Sequence, residues 1–123
     1  MSDCMYKNRL GKRGELIAKN FLLKKGLTFV KENYRYDRAE IDLVFEDKTN
    51  KLLLFVEVKT RTNKRFGEPE EAVTPLKMDQ IRKAAMGFTT EHEMYNTHDL
   101  RLDVVSIILT GENTEINHIE NAF

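Results

Sequence analysis

Cysteine occurs once, at Cys4, so the chain has no internal disulfide and no cysteine-based metal site. Cys4 reads as a free thiol. No stretch approaches the roughly 18 apolar residues that a membrane-spanning helix requires. The start, Met1 to Leu10, is polar and charged and does not read as a signal peptide. The expected compartment is therefore the cytoplasm, with no membrane partner. Two prolines and six glycines are too few for linkers, and repeats and low-complexity tracts are missing. The 123 residues read as one domain, 1–123. Net charge is lacking as well: 20 Lys and Arg balance 20 Asp and Glu. A uniformly basic surface is thereby excluded, but the charge is segregated. Residues 1–38 carry ten basic and four acidic side chains, and residues 39–58 carry two and five. Residues 59–83 return to seven and four, and residues 84–123 hold one and seven. Basic flanks around an acidic centre suit a polyanion held beside a cation. Ordinary solvated charge is the alternative.

What the chain does have is two apolar runs with charges at alternate positions. Glu40-Ile41-Asp42 opens one, and Phe55-Val56-Glu57-Val58-Lys59-Thr60-Arg61 closes the other. They flank Lys48-Thr49-Asn50-Lys51 and read as an antiparallel hairpin. Centred on Thr49-Asn50, the register sets Asp42 opposite Glu57 and Glu40 opposite Lys59. Directly opposed side chains lie roughly 4.5–5.5 Å apart at Cβ. Alternation puts Ile41, Leu43, Phe45, Leu54, Val56 and Val58 on the other face, expected to be core. A slip of one residue would exchange charged and core positions, so the pattern fixes the register.

Elsewhere the spacing of Leu10, Gly14, Ile17, Ala18, Phe21 and Leu22 predicts a helix from Leu10 to Lys25, with Gly26 as its cap. Leu27 to Tyr34 predicts a strand, followed by hairpin strands Ala39 to Phe45 and Leu52 to Lys59. Thr60 to Val73, with Gly67 and Pro69, reads as a loop. Thr74-Pro75 starts a second helix reaching Phe88, with Leu76, Ile81, Ala84, Ala85 and Phe88 inward. Leu102 to Leu109 is a strand, and Glu115 to Ile119 an edge strand. The order predicts an α/β domain, a mixed central sheet flanked by helices.

Opposed acids beside a lysine suit metal-assisted phosphodiester hydrolysis. A divalent metal lowers the pKa of bound water and acts as a Lewis acid. Mg²⁺ takes one or two carboxylates plus waters and substrate phosphate. Asp42 and Glu57 supply the carboxylates, and the carbonyl of Val58 is a candidate third oxygen. Lys59, roughly 6.6 Å along the strand from Glu57, would orient water or stabilise the phosphate. Glu15, at the rim of the first helix's apolar stripe, is a third acid. It reads equally as a surface carboxylate favoured by the helix dipole. A salt-bridged polar sheet face is the alternative for the whole group. Against it, opposed acids repel unless a cation intervenes. Lys12, Arg13, Arg61, Lys64 and Arg65 are candidate phosphate contacts or plain surface charge. Tyr34 and Tyr36 flank Arg35, as base-stacking or as packing residues. Asp103 is expected to anchor a neighbouring loop. His92, His98 and His118 lack ligand spacing and receive no role.

Six motifs, in order, resemble the YraN-type bacterial proteins. They are Gly11-Lys-Arg-Gly14-Glu15-Leu-Ile-Ala18, Asn33-Tyr34-Arg35, Glu40-Ile41-Asp42-Leu43, Phe55 to Arg61, Phe66-Gly67-Glu68-Pro69 and Arg101-Leu102-Asp103-Val104-Val105. That family is similar in fold to restriction-endonuclease-like nucleases, most of all to archaeal Holliday-junction resolvases. The resemblance implies an αβββαβ core and a Mg²⁺- or Mn²⁺-dependent endonuclease acting on DNA, including branched DNA. It implies that Glu15, Asp42, Glu57 and Lys59 form the acidic-and-lysine signature, with Glu40 and Gln80 in support. The resolvase analogy points to a symmetric homodimer. Ala39 stands where the family usually has glycine. Two rival readings remain: a non-catalytic nucleic-acid-binding module keeping the fold, and a protein-interaction domain.

Overall fold

The structure, a computed structural model, describes residues 3–62 and 74–122. Lys64, Arg65 and the Phe66-Gly67-Glu68-Pro69 motif lie outside the described residues. Helix α1 (Asp3–Lys24) precedes strands β1 (Thr28–Tyr36), β2 (Ala39–Asp47) and β3 (Leu52–Arg61). Helix α2 (Pro75–Glu91), a single 3₁₀ turn (Glu93–Tyr95), β4 (Asp99–Thr110) and β5 (Asn113–Ile119) follow. The five strands form one sheet in chain order. All neighbours are antiparallel except β3 and β4. A parallel pair needs a crossover, and α2 lies on that connection. The mixed sheet with a helix on each face is the αβββαβ arrangement that the sequence led us to expect, with β5 added at the edge.

Helix α1 begins at Asp3 rather than Leu10. Apolar spacing reports only turns that carry an apolar stripe, and the sequence before Leu10 is polar and charged. Gly26, at φ 89°, ends the helix in the left-handed conformation open to glycine. Ala18 and Leu22 pack on Leu43, Phe45, Leu54, Val56, Val105, Ile107 and Leu109. Gly14 sets the depth of that packing. A Cβ at this position would lie 1.7 Å from Thr60 Oγ1, so only glycine lets α1 meet β3 here. Residues on either side of Gly14 are thereby held against the end of β3 that carries Lys59 and Arg61.

Thr74 caps α2, its Oγ1 accepting from the Lys77 N–H at 3.2 Å, and Pro75 fills the first turn. Ile81, Ala84, Ala85 and Phe88 are buried against Tyr34, Ile41, Val44, Leu53, Phe55 and Leu102. Phe88 meets Tyr34 and Phe55 edge-on, with centroids 5.1 and 5.8 Å away. Its full burial contributes roughly 1.5–3 kcal/mol. Leu76 does not face inward; it is 68% exposed. Lys77, Ile81, Ala84 and Phe88 define the buried stripe, and Leu76 lies about 100° around the helix from Lys77.

The hairpin keeps its expected register: Leu43 pairs with Val56, Val44 with Phe55 and Phe45 with Leu54. The pairing stops there. Asp42–Glu57 and Glu40–Lys59, expected as the next rungs of the ladder, are not paired, because β2 and β3 part beyond Leu43 and Val56. Beyond that point β2 continues along β1, and β3 continues along β4. Alternation breaks at the same place. Leu43 and Phe45 face α1, but Ile41, expected beside them, joins Val44, Leu53 and Phe55 on the α2 side. Between the rungs Glu32–Leu43 and Tyr34–Ile41, Asp42 faces Asn33, whose φ is 53°. A left-handed residue in a strand sharpens the local twist of the ladder.

Candidate active site

The parting of β2 and β3 opens a notch, and Asp42 and Glu57 line one cleft of about 390 Å³ beside it. The opposite wall is α2, through Leu76, Lys77, Gln80 and Ile81; Arg38, Ala39 and Glu40 complete the rim. Asp42 bridges the notch, its Oδ2 accepting from the Val58 N–H at 2.7 Å. This bond replaces the backbone rung lost where the strands separate. Val58 therefore enters the site through its N–H.

Glu57 is 8% exposed, a depth at which a carboxylate needs partners. Among the described residues it has two, both on Oε1: the Lys77 ammonium at 2.8 Å and the Lys59 ammonium at 3.2 Å. Lys59 thus points with Glu57, as strand alternation requires. Lys77 is the residue the sequence reading missed. The available signal was its place on the buried stripe, four residues before Ile81. A lysine centred on the apolar face of a helix calls for a buried acid.

Asp42 is titrated by its surroundings. Burial, then the Glu57 charge, raises its pKa to about 7, against the pull of the Val58 hydrogen bond. Glu15 and Glu40 add to the rise. Glu15 itself is half-buried on α1. Burial raises its pKa first, followed by the charges of Glu40 and Glu32, while Lys12 pulls it down and Glu57 pushes it up. Glu15 therefore belongs to the electrostatic field of the site. Burial lowers the pKa of Lys77, but the Glu57 hydrogen bond and charge outweigh it and leave the ammonium firmly protonated. The Asp42 charge also helps hold Lys77 protonated, so the two sites act on each other across the cleft.

The donors fit a hard divalent cation. Asp42 offers a buried carboxylate whose pKa is raised by burial and by the Glu57 charge, and Glu57 offers a second carboxylate in the same cleft. Two carboxylates plus water match the needs of Mg²⁺ and Mn²⁺. Among the described residues, no three His, Cys, Asp or Glu side chains converge into a self-sufficient metal cluster. Glu15 is thus close enough to perturb the acids without completing a cage with them.

The remaining candidates are distributed around this centre. Gln80 and Glu40 line the cleft. Glu40 also pairs with Arg35 at 3.5 Å on the surface. Lys12 and Arg13 are exposed on α1 next to Gly14 and Glu15, while Arg61 is half-buried at the end of β3 and has interactions of its own. Arg38, on the rim, was not singled out by the sequence. Tyr34 is buried in the core, whereas the Tyr36 ring lies against Gly87. Asp103 is a structural anchor, as expected. It takes Arg101 in two 2.9 Å hydrogen bonds, His118 at 2.8 Å and the Asn121 N–H at 3.0 Å. His118 therefore has a role after all, one in tying down β5. No helix among the described residues is long and apolar enough to cross a membrane.

Residues 14–107, which contain every acid and lysine of the notch, match the uncharacterised protein family UPF0102. A UPF0102 protein of Syntrophomonas wolfei is 43% identical over 114 residues, 93% of this chain and 96% of its own. One from Vibrio parahaemolyticus is 39% identical over 94% of this chain and 93% of its own. One from Christiangramia forsetii is 37% identical over 94% of each. The YraN-type resemblance drawn from spaced motifs holds across the full domain, and the chain belongs to the UPF0102 family.

Proposed function

We propose that this protein is a divalent-metal-dependent nuclease that hydrolyses phosphodiester bonds in DNA, including branched DNA. One observation carries the reading: Asp42 and Glu57 line a single cleft where two strands part, with the Lys59 ammonium 3.2 Å from Glu57. Asp42 and Glu57 would hold Mg²⁺ or Mn²⁺, which supplies activated water and Lewis acidity at the phosphate. Lys59 orients the attacking water or offsets charge developing on the phosphate. Glu15 holds negative potential at the edge of the site, and Gln80 offers a hydrogen-bonding amide from α2. Lys12 and Arg13 on α1 and Arg61 at the end of β3 are the phosphate contacts. On this reading the protein works in the cytoplasm, and a second copy of the chain would present a second site to a branched substrate.

The test is cleavage of junction, flap and linear DNA with Mn²⁺ by wild type, Asp42→Ala and Lys59→Ala. Wild type cleaves at least one substrate, and both variants lose about 10²-fold or more. Equal activity in all three proteins would refute the site. A non-catalytic DNA-binding module is the rival, and the double pairing of Glu57 favours it, since that acid is neutralised without any metal. The rival predicts salt-dependent DNA binding by wild type and cleavage of none of the substrates.

A further inference from the structure

We propose that Lys77 is a displaceable counter-ion, neutralising Glu57 until a divalent cation takes its place and then turning to the phosphate of a bound polynucleotide. This rests on the metal-dependent reading above and assigns a positioning role within it.

Two cations crowd one carboxylate oxygen. The Lys77 and Lys59 ammoniums lie 2.8 and 3.2 Å from the same Glu57 oxygen. Each is a full positive charge in a partly desolvated cleft, where Coulomb forces are stronger than in water. A dication brought to Glu57 would meet both at once. One ammonium has to yield, and the two differ in how they are held. Lys59 shares a strand with Glu57, and its side chain is 25% exposed. Lys77 reaches in from α2, and its side chain is 36% exposed. Its backbone is fixed by the Thr74 cap, while its four-carbon stem is an intrinsically flexible tether for the ammonium. Leaving Glu57, the ammonium would remain beside a cleft lined by Arg38, Glu40 and Gln80, where a phosphate entering the site would meet it.

Two measurements test this without relying on turnover. Mn²⁺ affinity is measured by calorimetry and by the electron paramagnetic resonance signal of free Mn²⁺, for wild type, Lys77→Gln, Lys77→Arg and Asp42→Asn. Thermal melts confirm that each variant folds. With the competing charge removed, Lys77→Gln binds Mn²⁺ about tenfold tighter, whereas Lys77→Arg stays near wild type. Labelled DNA is then titrated in Ca²⁺ and in EDTA. Lys77→Gln binds DNA about three- to tenfold more weakly in Ca²⁺ and unchanged in EDTA, because only the displaced lysine touches phosphate. Unchanged or weaker Mn²⁺ binding by a folded Lys77→Gln would overturn the counter-ion role while leaving the metal site standing. An equal DNA effect in Ca²⁺ and EDTA, or none in either, would overturn the displacement. Wild type that binds no Mn²⁺, or Asp42→Asn that binds it as well as wild type, would bring down the metal site and the inference together.

Discussion

Asp42 and Asp103 flank the same residue of β3 and live in opposite surroundings. Asp103 on β4 faces Val56, and Asp42 on β2 adjoins Leu43, which faces Val56 from the other side. Burial acts on both. At Asp103 it is outweighed by hydrogen bonds from His118, Arg101 and the Asn121 N–H, which hold the pKa below the usual carboxylate range. At Asp42 the Val58 N–H does not offset burial and the Glu57 charge, and the pKa climbs to about 7. A sheet that can satisfy one buried acid completely has left another wanting a positive charge. Such contrast is expected where binding energy for a cation is kept in reserve.

Truncation separates the two most strongly. Asp103→Ala leaves Arg101, His118 and the Asn121 N–H without their acceptor at a fully buried site. Removing one member of a buried, hydrogen-bonded charge cluster costs about 3–5 kcal/mol. Urea unfolding should show that loss for Asp103→Ala, with β5 the first element to lose hydrogen-exchange protection. A cost below about 1 kcal/mol would mean that the cluster is not the anchor described.

The next effect tests the support of the notch. In Gly14→Ala the new methyl would strike Thr60, and relief requires α1 to lift from β3. Overpacking of this kind costs about 1–3 kcal/mol. Because Glu15 rides on the same turn, its charge should also recede from Asp42 and Glu57. The variant therefore lowers thermal stability and, on the metal-dependent reading, changes Mn²⁺ affinity as well. An equivalent methyl at Gly11 meets nothing within 4 Å, so Gly11→Ala is the matched control.

The two acids also give pH dependences of opposite sign. The folded pKa of Asp103 is below its unfolded value, so its stabilisation is present above the unfolded value and fades as pH falls through the folded one. The folded pKa of Asp42 lies near 7 and its unfolded value near 3.8. Its contribution is fully present below the unfolded value and lost as pH rises through about 7. Asp42→Asn keeps an oxygen for the Val58 N–H but cannot ionise. In the absence of metal it should gain on wild type by ~1–2 kcal/mol between pH 5 and pH 8 in urea unfolding. Added Mn²⁺ should shrink that gap by stabilising wild type alone. A gap that does not widen with pH would contradict the strained state assigned to Asp42.

Legibility in the sequence followed the same division. Regular features were readable because they repeat. Alternation over Leu43–Phe45 and Leu54–Val56 gave the hairpin register, and Thr74-Pro75 gave the start of α2. The notch was not readable, because it is where regularity ends. Its position depends on the left-handed Asn33 of β1 and on β3 continuing with β4, which comes some forty residues later in the chain. Ile41 changes sides where β2 leaves β3, and there Asp42 meets a backbone N–H instead of a facing rung. Lys77 was hidden by habit, since a lysine among helical polar residues passes as surface. His118 lacked ligand spacing along the chain, and only the pairing of β4 with β5 brings it to Asp103.

The smallest predicted effect concerns Glu40, which borders both readings of the notch. It lines the cleft, yet it is exposed and pairs with Arg35 at the surface. An exposed ion pair contributes about 0–1 kcal/mol, so Glu40→Gln should leave the unfolding midpoint almost unchanged. Its charge nevertheless raises the pKa of both Glu15 and Asp42. Carboxyl carbon shifts in an NMR titration should therefore show Asp42 and Glu15 ionising at lower pH in Glu40→Gln, while Asp103 does not move. If Asp103 moved equally, the change would be a general charge effect and not a local one. If neither Asp42 nor Glu15 moved, Glu40 would stand outside the field of the site despite lining its wall.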